Sequence, residues 1–170
     1  MAELNDAGSF SPVVEQQPLP SGLNVLTILT FIGSAIGLLG TLYNFTNAKK
    51  AMDQMEATIN SPEYENMPAL AKKFLSPEAL EVARKSYENR IPLTLIGLVG
   101  IALCVYGALQ MRKRKMQGYY LWLTGELLPL LVTVILVGTG ALGGIAGAMI
   151  ILFTVVFVLL YTLQRKHLTN

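Results

Sequence analysis

Cysteine, histidine and tryptophan each occur once in the 170 residues. A lone cysteine excludes an intramolecular disulfide, and a lone histidine leaves nothing from which to build a His-rich metal cluster, so neither a metal nor a cofactor is expected. Charge is scarce as well. Only 14% of residues are Asp, Glu, Lys or Arg, and 13 basic against 11 acidic side chains leave a net charge of +2, without the basic footprint of a nucleic-acid partner. What fills the space is apolar: 52% of the chain is hydrophobic and the mean hydropathy is +0.49. Water does not tolerate that surface on a soluble domain, and the expected solvent is a lipid bilayer.

Four apolar runs, at about residues 23–43, 92–111, 118–138 and 143–162, lack Lys, Arg and Asp altogether. Each is close to the ~20 residues that cross a ~30 Å hydrocarbon core as a helix. Their lack of strand-like alternation favours helices over a barrel, and the expectation is an all-α membrane protein, a four-transmembrane-helix bundle. Residues 1–22 carry Glu3, Asp6 and Glu15 but no basic residue. That composition lacks the positive start of a secretory signal, so the first span is expected to be retained behind a flexible polar tail, with 23–170 forming the membrane domain. The one cysteine falls inside a span, and no lipidation box is present.

Residues 44–91 form the one sizeable polar segment, with seven basic and seven acidic side chains. It is predicted to form short amphipathic helices between spans one and two. Ser61-Pro62-Glu63 and Ser76-Pro77-Glu78 each place a hydroxyl before proline and an acid in the first turn, as helix starts do. In the last piece Leu80, Val82 and Ala83 form an apolar face, while Glu81, Arg84, Lys85 and Glu88 stay wet. The segment reads as a solvated helical hairpin over the bundle, or as a docking or gating loop.

Four spans put both termini and the turn Arg112, Lys113, Arg114, Lys115 on one side. Four consecutive cations in so short a turn resist translocation, which favours cytoplasmic termini and makes anionic lipid headgroups the expected counter-ions. Tyr119, Tyr120 and Trp122 follow at the depth of an interfacial aromatic belt.

Glu126 is the only formal charge inside any span. Eight residues in, it lies roughly 12 Å deep at 1.5 Å per residue. Charging it there costs about 2.5–3.5 kcal/mol, which the surrounding Leu, Ile and Val offset at about 0.3–0.6 kcal/mol each. Removal from water disfavours the carboxylate, so a protonated side chain is expected unless a cation or a file of water reaches it. Tyr119, Trp122, Glu126, Thr133 and Val137 share one helical face, predicted to point into the bundle. Pro129 cannot donate to the Gly125 carbonyl, and the Glu126 carboxyl or a neighbouring hydroxyl is a natural donor to that oxygen.

Complementary stripes run along the other spans: Thr27, Thr30, Ser34, Gly37 and Thr41; Gly97, Gly100, Cys104 and Gly107; Gly143, Gly147, Thr154 and Tyr161. Small residues let helices approach, so Gly33, Gly37, Gly97, Gly100, Gly143 and Gly147 are the expected packing positions. Depth places Thr30 or Ser34, Cys104 and Thr154 in the layer of Glu126, giving it an expected hydroxyl partner on the first or fourth span. An apolar site suppresses the thiolate, so Cys104 reads as a packing residue. Three roles stay open for the acid: a neutral residue fixing helix register, a proton or cation relay, or a contact to a polar lipid or a partner helix. A lone glutamate lacks the second group that acid–base catalysis requires, so the chain reads as non-enzymatic, an assembly or accessory subunit whose partners are the bilayer and either copies of itself or another membrane subunit. A proton- or cation-coupled transporter or channel component is the alternative.

The run Leu19-Pro20-Ser21-Gly22-Leu23-Asn24-Val25-Leu26-Thr27-Ile28-Leu29-Thr30-Phe31-Ile32-Gly33-Ser34 resembles the opening of small uncharacterised four-span bacterial membrane proteins, and Trp122-Leu123-Thr124-Gly125-Glu126 is similar to a segment of theirs. The resemblance implies a bacterial inner membrane and assigns no activity.

Overall fold

The computed structural model describes residues 18–169, and among these every regular element is helical. Six α-helices follow in order: α1 Ser21–Ile59, α2 Ala69–Phe74, α3 Pro77–Glu88, α4 Arg90–Arg112, α5 Met116–Val137 and α6 Gly144–Gln164. Four of them, α1, α4, α5 and α6, are long and apolar enough to cross a membrane. Their outward rows are apolar, with Ile36, Leu95, Ile135 and Leu159 all more than half exposed. Such rows suit acyl chains.

The polar segment differs from its expected form in two respects. Instead of ending near residue 43, α1 continues without a break to Ile59. Residues 44–59 contain neither Pro nor Gly, so nothing stops the backbone until Ser61-Pro62, where proline disfavours helical geometry in the residue before it. At 1.5 Å per residue, the part beyond residue 43 projects about 24 Å past the apolar run. Ser61-Pro62-Glu63 begins only a 3-10 turn, Pro62–Asn66, without a side-chain cap. Ser76 does cap α3, accepting from the Ala79 amide at 3.2 Å. Its hydroxyl and the Glu78 amide hold the Glu78 carboxyl below its ordinary value. The α3 helix lies along the projecting part of α1, with Arg84 3.5 Å from Glu56. Its partly buried face holds Leu80, Val82 and Ala83, and Glu81, Arg84, Lys85 and Glu88 are exposed.

The tightest packing joins α4 to α5 through paired glycines. A Cβ on Gly107 would lie 2.7 Å from the Gly118 carbonyl oxygen, and one on Gly118 2.6 Å from that of Gly107. Gly100 and Gly125 face each other in the same reciprocal way, at 2.8 and 2.7 Å. Glycines seven residues apart on each antiparallel helix therefore meet twice. Where a side chain would start there is only an α-hydrogen, aimed at a carbonyl across the seam. The Gly125 oxygen, which Pro129 leaves without its helical donor, faces Gly100 in this way.

The end holding the α4–α5 turn is also the best closed. Arg114 turns the chain with a φ of 59°, and the C-terminal residues pair with it. The Thr169 amide donates to the Arg114 carbonyl at 2.6 Å, and the Met116 amide to the Thr169 carbonyl at 2.8 Å. Arg112 donates to Asn24 Oδ1 at 3.0 Å and Thr27 Oγ1 at 3.2 Å, fastening the start of α1. Beneath these contacts sits the buried core of Leu23, Leu26, Met111, Tyr119, Trp122, Tyr161 and Leu168. Farther from that end α1 and α6 meet each other little, while α1 stays against α4.

Candidate functional site

Glu126 lies on α5, one residue after the buried Gly125 that brings α4 into contact. Its two carboxyl oxygens are approached from two different helices. Thr154 Oγ1 of α6 donates to Oε1 at 3.5 Å, and Cys104 Sγ of α4 donates to Oε2 at 3.8 Å. Both contacts are long, and both make the carboxyl an acceptor. Two such contacts leave part of the carboxyl's hydrogen-bonding capacity unused.

Beside it is a cavity of about 430 Å³. Thr30, Ser34 and Gly37 of α1, Cys104 of α4, Trp122 and Pro129 of α5, and Phe153, Thr154 and Phe157 of α6 line it with the acid. No Lys, Arg or His is among its lining residues. Leu29 and Gly33 on one rim, and Ile150 and Phe153 on the other, are exposed, so the cavity opens sideways between α1 and α6. Among the described residues, no group of three His, Cys, Asp or Glu side chains could hold a metal ion.

The residues expected to surround Glu126 do not all bond to it. Thr154 and Cys104 touch it, whereas the Thr30 hydroxyl is 2.7 Å from Tyr161 OH in a buried contact between α1 and α6. Ser34 lines the wall. Trp122 is 1% exposed and packs its ring 4.2 Å from that of Tyr161. Neither Trp122 nor Tyr119 sits in an outer aromatic belt. Tyr119 is buried, its hydroxyl 2.9 Å from Thr162 Oγ1, and of the three aromatics only Tyr120 faces out.

The glycine positions divide. Gly100 is at the tight seam, Gly97 and Gly37 make ordinary contacts with Thr41 and Ile101, and a Cβ on Gly33 would meet nothing within 4 Å. Gly143 and Gly147 pack against the turn before α6, at Gly140 and Leu142, rather than against another spanning helix. Residue spacing overlooked Gly118 and Gly125, the α5 halves of the tight pairs. Their separation of seven matches that of Gly100 and Gly107, and this shared heptad was the available signal. Phe153 and Phe157 went unnoticed because apolar aromatics in an apolar helix carry no contrast.

No family model, curated protein or solved structure matches the chain.

Proposed function

We propose that this chain is a non-enzymatic, multi-pass protein of a bacterial inner membrane, a four-helix bundle with cytoplasmic termini that works as an assembly or accessory subunit. One observation carries the reading. Among the described side chains of α6, only Gly147, Thr154 and Tyr161 are buried. They lie seven residues apart on a single line, so most of the helix circumference is free for a neighbour, which in a membrane is lipid or another helix. Glu126 supports the same reading by joining α4, α5 and α6. Its contacts fix their relative depth, and no catalytic group is needed for that role. The basic turn Arg112 to Lys115 supports the orientation, with anionic headgroups as its counter-ions.

The test is native mass spectrometry of the protein released from its own membrane in lipid nanodiscs. A particle containing a second copy or a fixed companion chain is expected. Single chains with lipid alone would overturn the assembly reading.

The cavity beside Glu126 favours a second reading, a proton- or cation-coupled transporter or channel component. A lone intramembrane acid beside a cavity is where such a pathway would carry its charge. In proteoliposomes this reading expects flux driven by a pH gradient, with loss of that flux in Glu126→Gln. Flux that survives the substitution rejects the role.

A further inference from the structure

We propose that the cavity at Glu126 binds an apolar organic cation, an amine whose ammonium sits against the Glu126 carboxylate while its hydrocarbon body lies along Phe153 and Phe157. The inference concerns binding alone, and it stands or falls separately from both the assembly and the transport readings.

Four observations converge on this ligand class. The carboxyl lines a space of about 430 Å³, within the range of small-molecule sites. Its two protein contacts, from Thr154 and Cys104, are both donations, at 3.5 and 3.8 Å. They orient the carboxyl as an acceptor without using up its capacity, which is how a carboxylate awaiting a donor is held. No cationic side chain lines the cavity, so a cation that holds Glu126 ionised has to come from outside the protein. Phe153 and Phe157 are the accessible aromatic residues of the wall, and the buried Trp122 borders it. Aromatic faces attract organic cations that have shed their water.

The alternatives fit less well. An inorganic divalent ion needs several oxygen ligands, with charge to match, and the lining residues supply one carboxylate and otherwise only neutral hydroxyls and a thiol. An anion would meet a like charge. The entrance also matches the class: the exposed rims Leu29, Gly33 and Ile150 open the cavity towards the bilayer between α1 and α6. An amphiphilic amine concentrates in the bilayer and could enter sideways.

Trp122 is the only tryptophan in the chain and borders this cavity, so its fluorescence comes from one known place. The probe is 4-(4-bromophenyl)butylamine, whose bromine quenches indole at short range, compared with its uncharged N-acetyl derivative in phosphatidylcholine nanodiscs. The amine is expected to quench saturably, at a half-saturating concentration about tenfold or more below that of the amide. Glu126→Gln, with its helicity verified by circular dichroism, is expected to bring the two ligands together, and Glu126→Asp to keep them apart. Equal quenching by amine and amide in the unaltered protein would overturn the proposal. So would a preference for the amine that persists in Glu126→Gln, since the selection would then come from the bilayer surface. The comparison on unaltered protein decides the matter even if the glutamine variant fails to fold.

Discussion

Gly107→Ala is expected to pry α4 from α5. The added methyl would lie 2.6 Å from the Trp122 amide nitrogen and 2.7 Å from the Gly118 carbonyl oxygen. Both atoms belong to helix backbone, which cannot rotate aside as a side chain would. Restoring an ordinary contact of about 3.5 Å moves the helices roughly 1 Å apart along the whole seam. In lipid, helix association depends on close packing and has no hydrophobic drive to compensate. The expected cost is about 1–3 kcal/mol, the range for overpacking by a methyl group, and a bulkier residue costs more. Reversible unfolding in mixed micelles, followed by circular dichroism, measures it. Gly33→Ala is the control. With nothing within 4 Å, it should leave stability unchanged or raise it slightly, because alanine favours helix by up to about 1 kcal/mol. Equal losses at both positions would show that the close α4–α5 seam does not set the outcome.

Trp122→Ala should be the most damaging single truncation. The indole is 1% exposed, stacks 4.2 Å from Tyr161 and lines the cavity beside Glu126. Through Tyr161 it also supports the 2.7 Å contact to Thr30 that joins α6 to α1. Removing it merges a new void with an existing one, where the surroundings have little reason to collapse. A loss of about 3–5 kcal/mol is expected, with Trp122→Phe recovering most of it. Tyr120→Ala, two residues earlier on the same helix but 50% exposed, should cost far less. Comparable losses at the two positions would place the stability of α5 outside its inward face.

The helical class and the four spans were legible because hydropathy over ~20 residues is a coarse, additive signal. So was the inward stripe of α5, since helical periodicity put Trp122 and Glu126 on one face before any neighbour was known. The partners of those residues were less accessible. Depth counting brought Thr30, Cys104 and Thr154 to one layer, but it could not tell which hydroxyl would turn to Glu126 and which to Tyr161. That choice depends on helix rotation and on the few-ångström offsets created by the α4–α5 glycines. The length of α1 was hidden for another reason. The polar residues after Tyr43 mark where an apolar run ends, and a helix is free to continue past that point when no proline or glycine interrupts it. The cavity has no sequence signature, because it is defined by what two diverging helices fail to fill.

The unbroken course of α1 has a mechanical consequence. A single rod that includes both Thr30, at the level of the core, and Glu56, beside Arg84 of α3, couples the two places by its stiffness. A change in tilt of about 10° within the bilayer would swing the projecting end by about 4 Å over its ~24 Å reach. The projecting end and α3 would thus move together with any lean of α1, and a force on them would bear in turn on the spacing between α1 and α6.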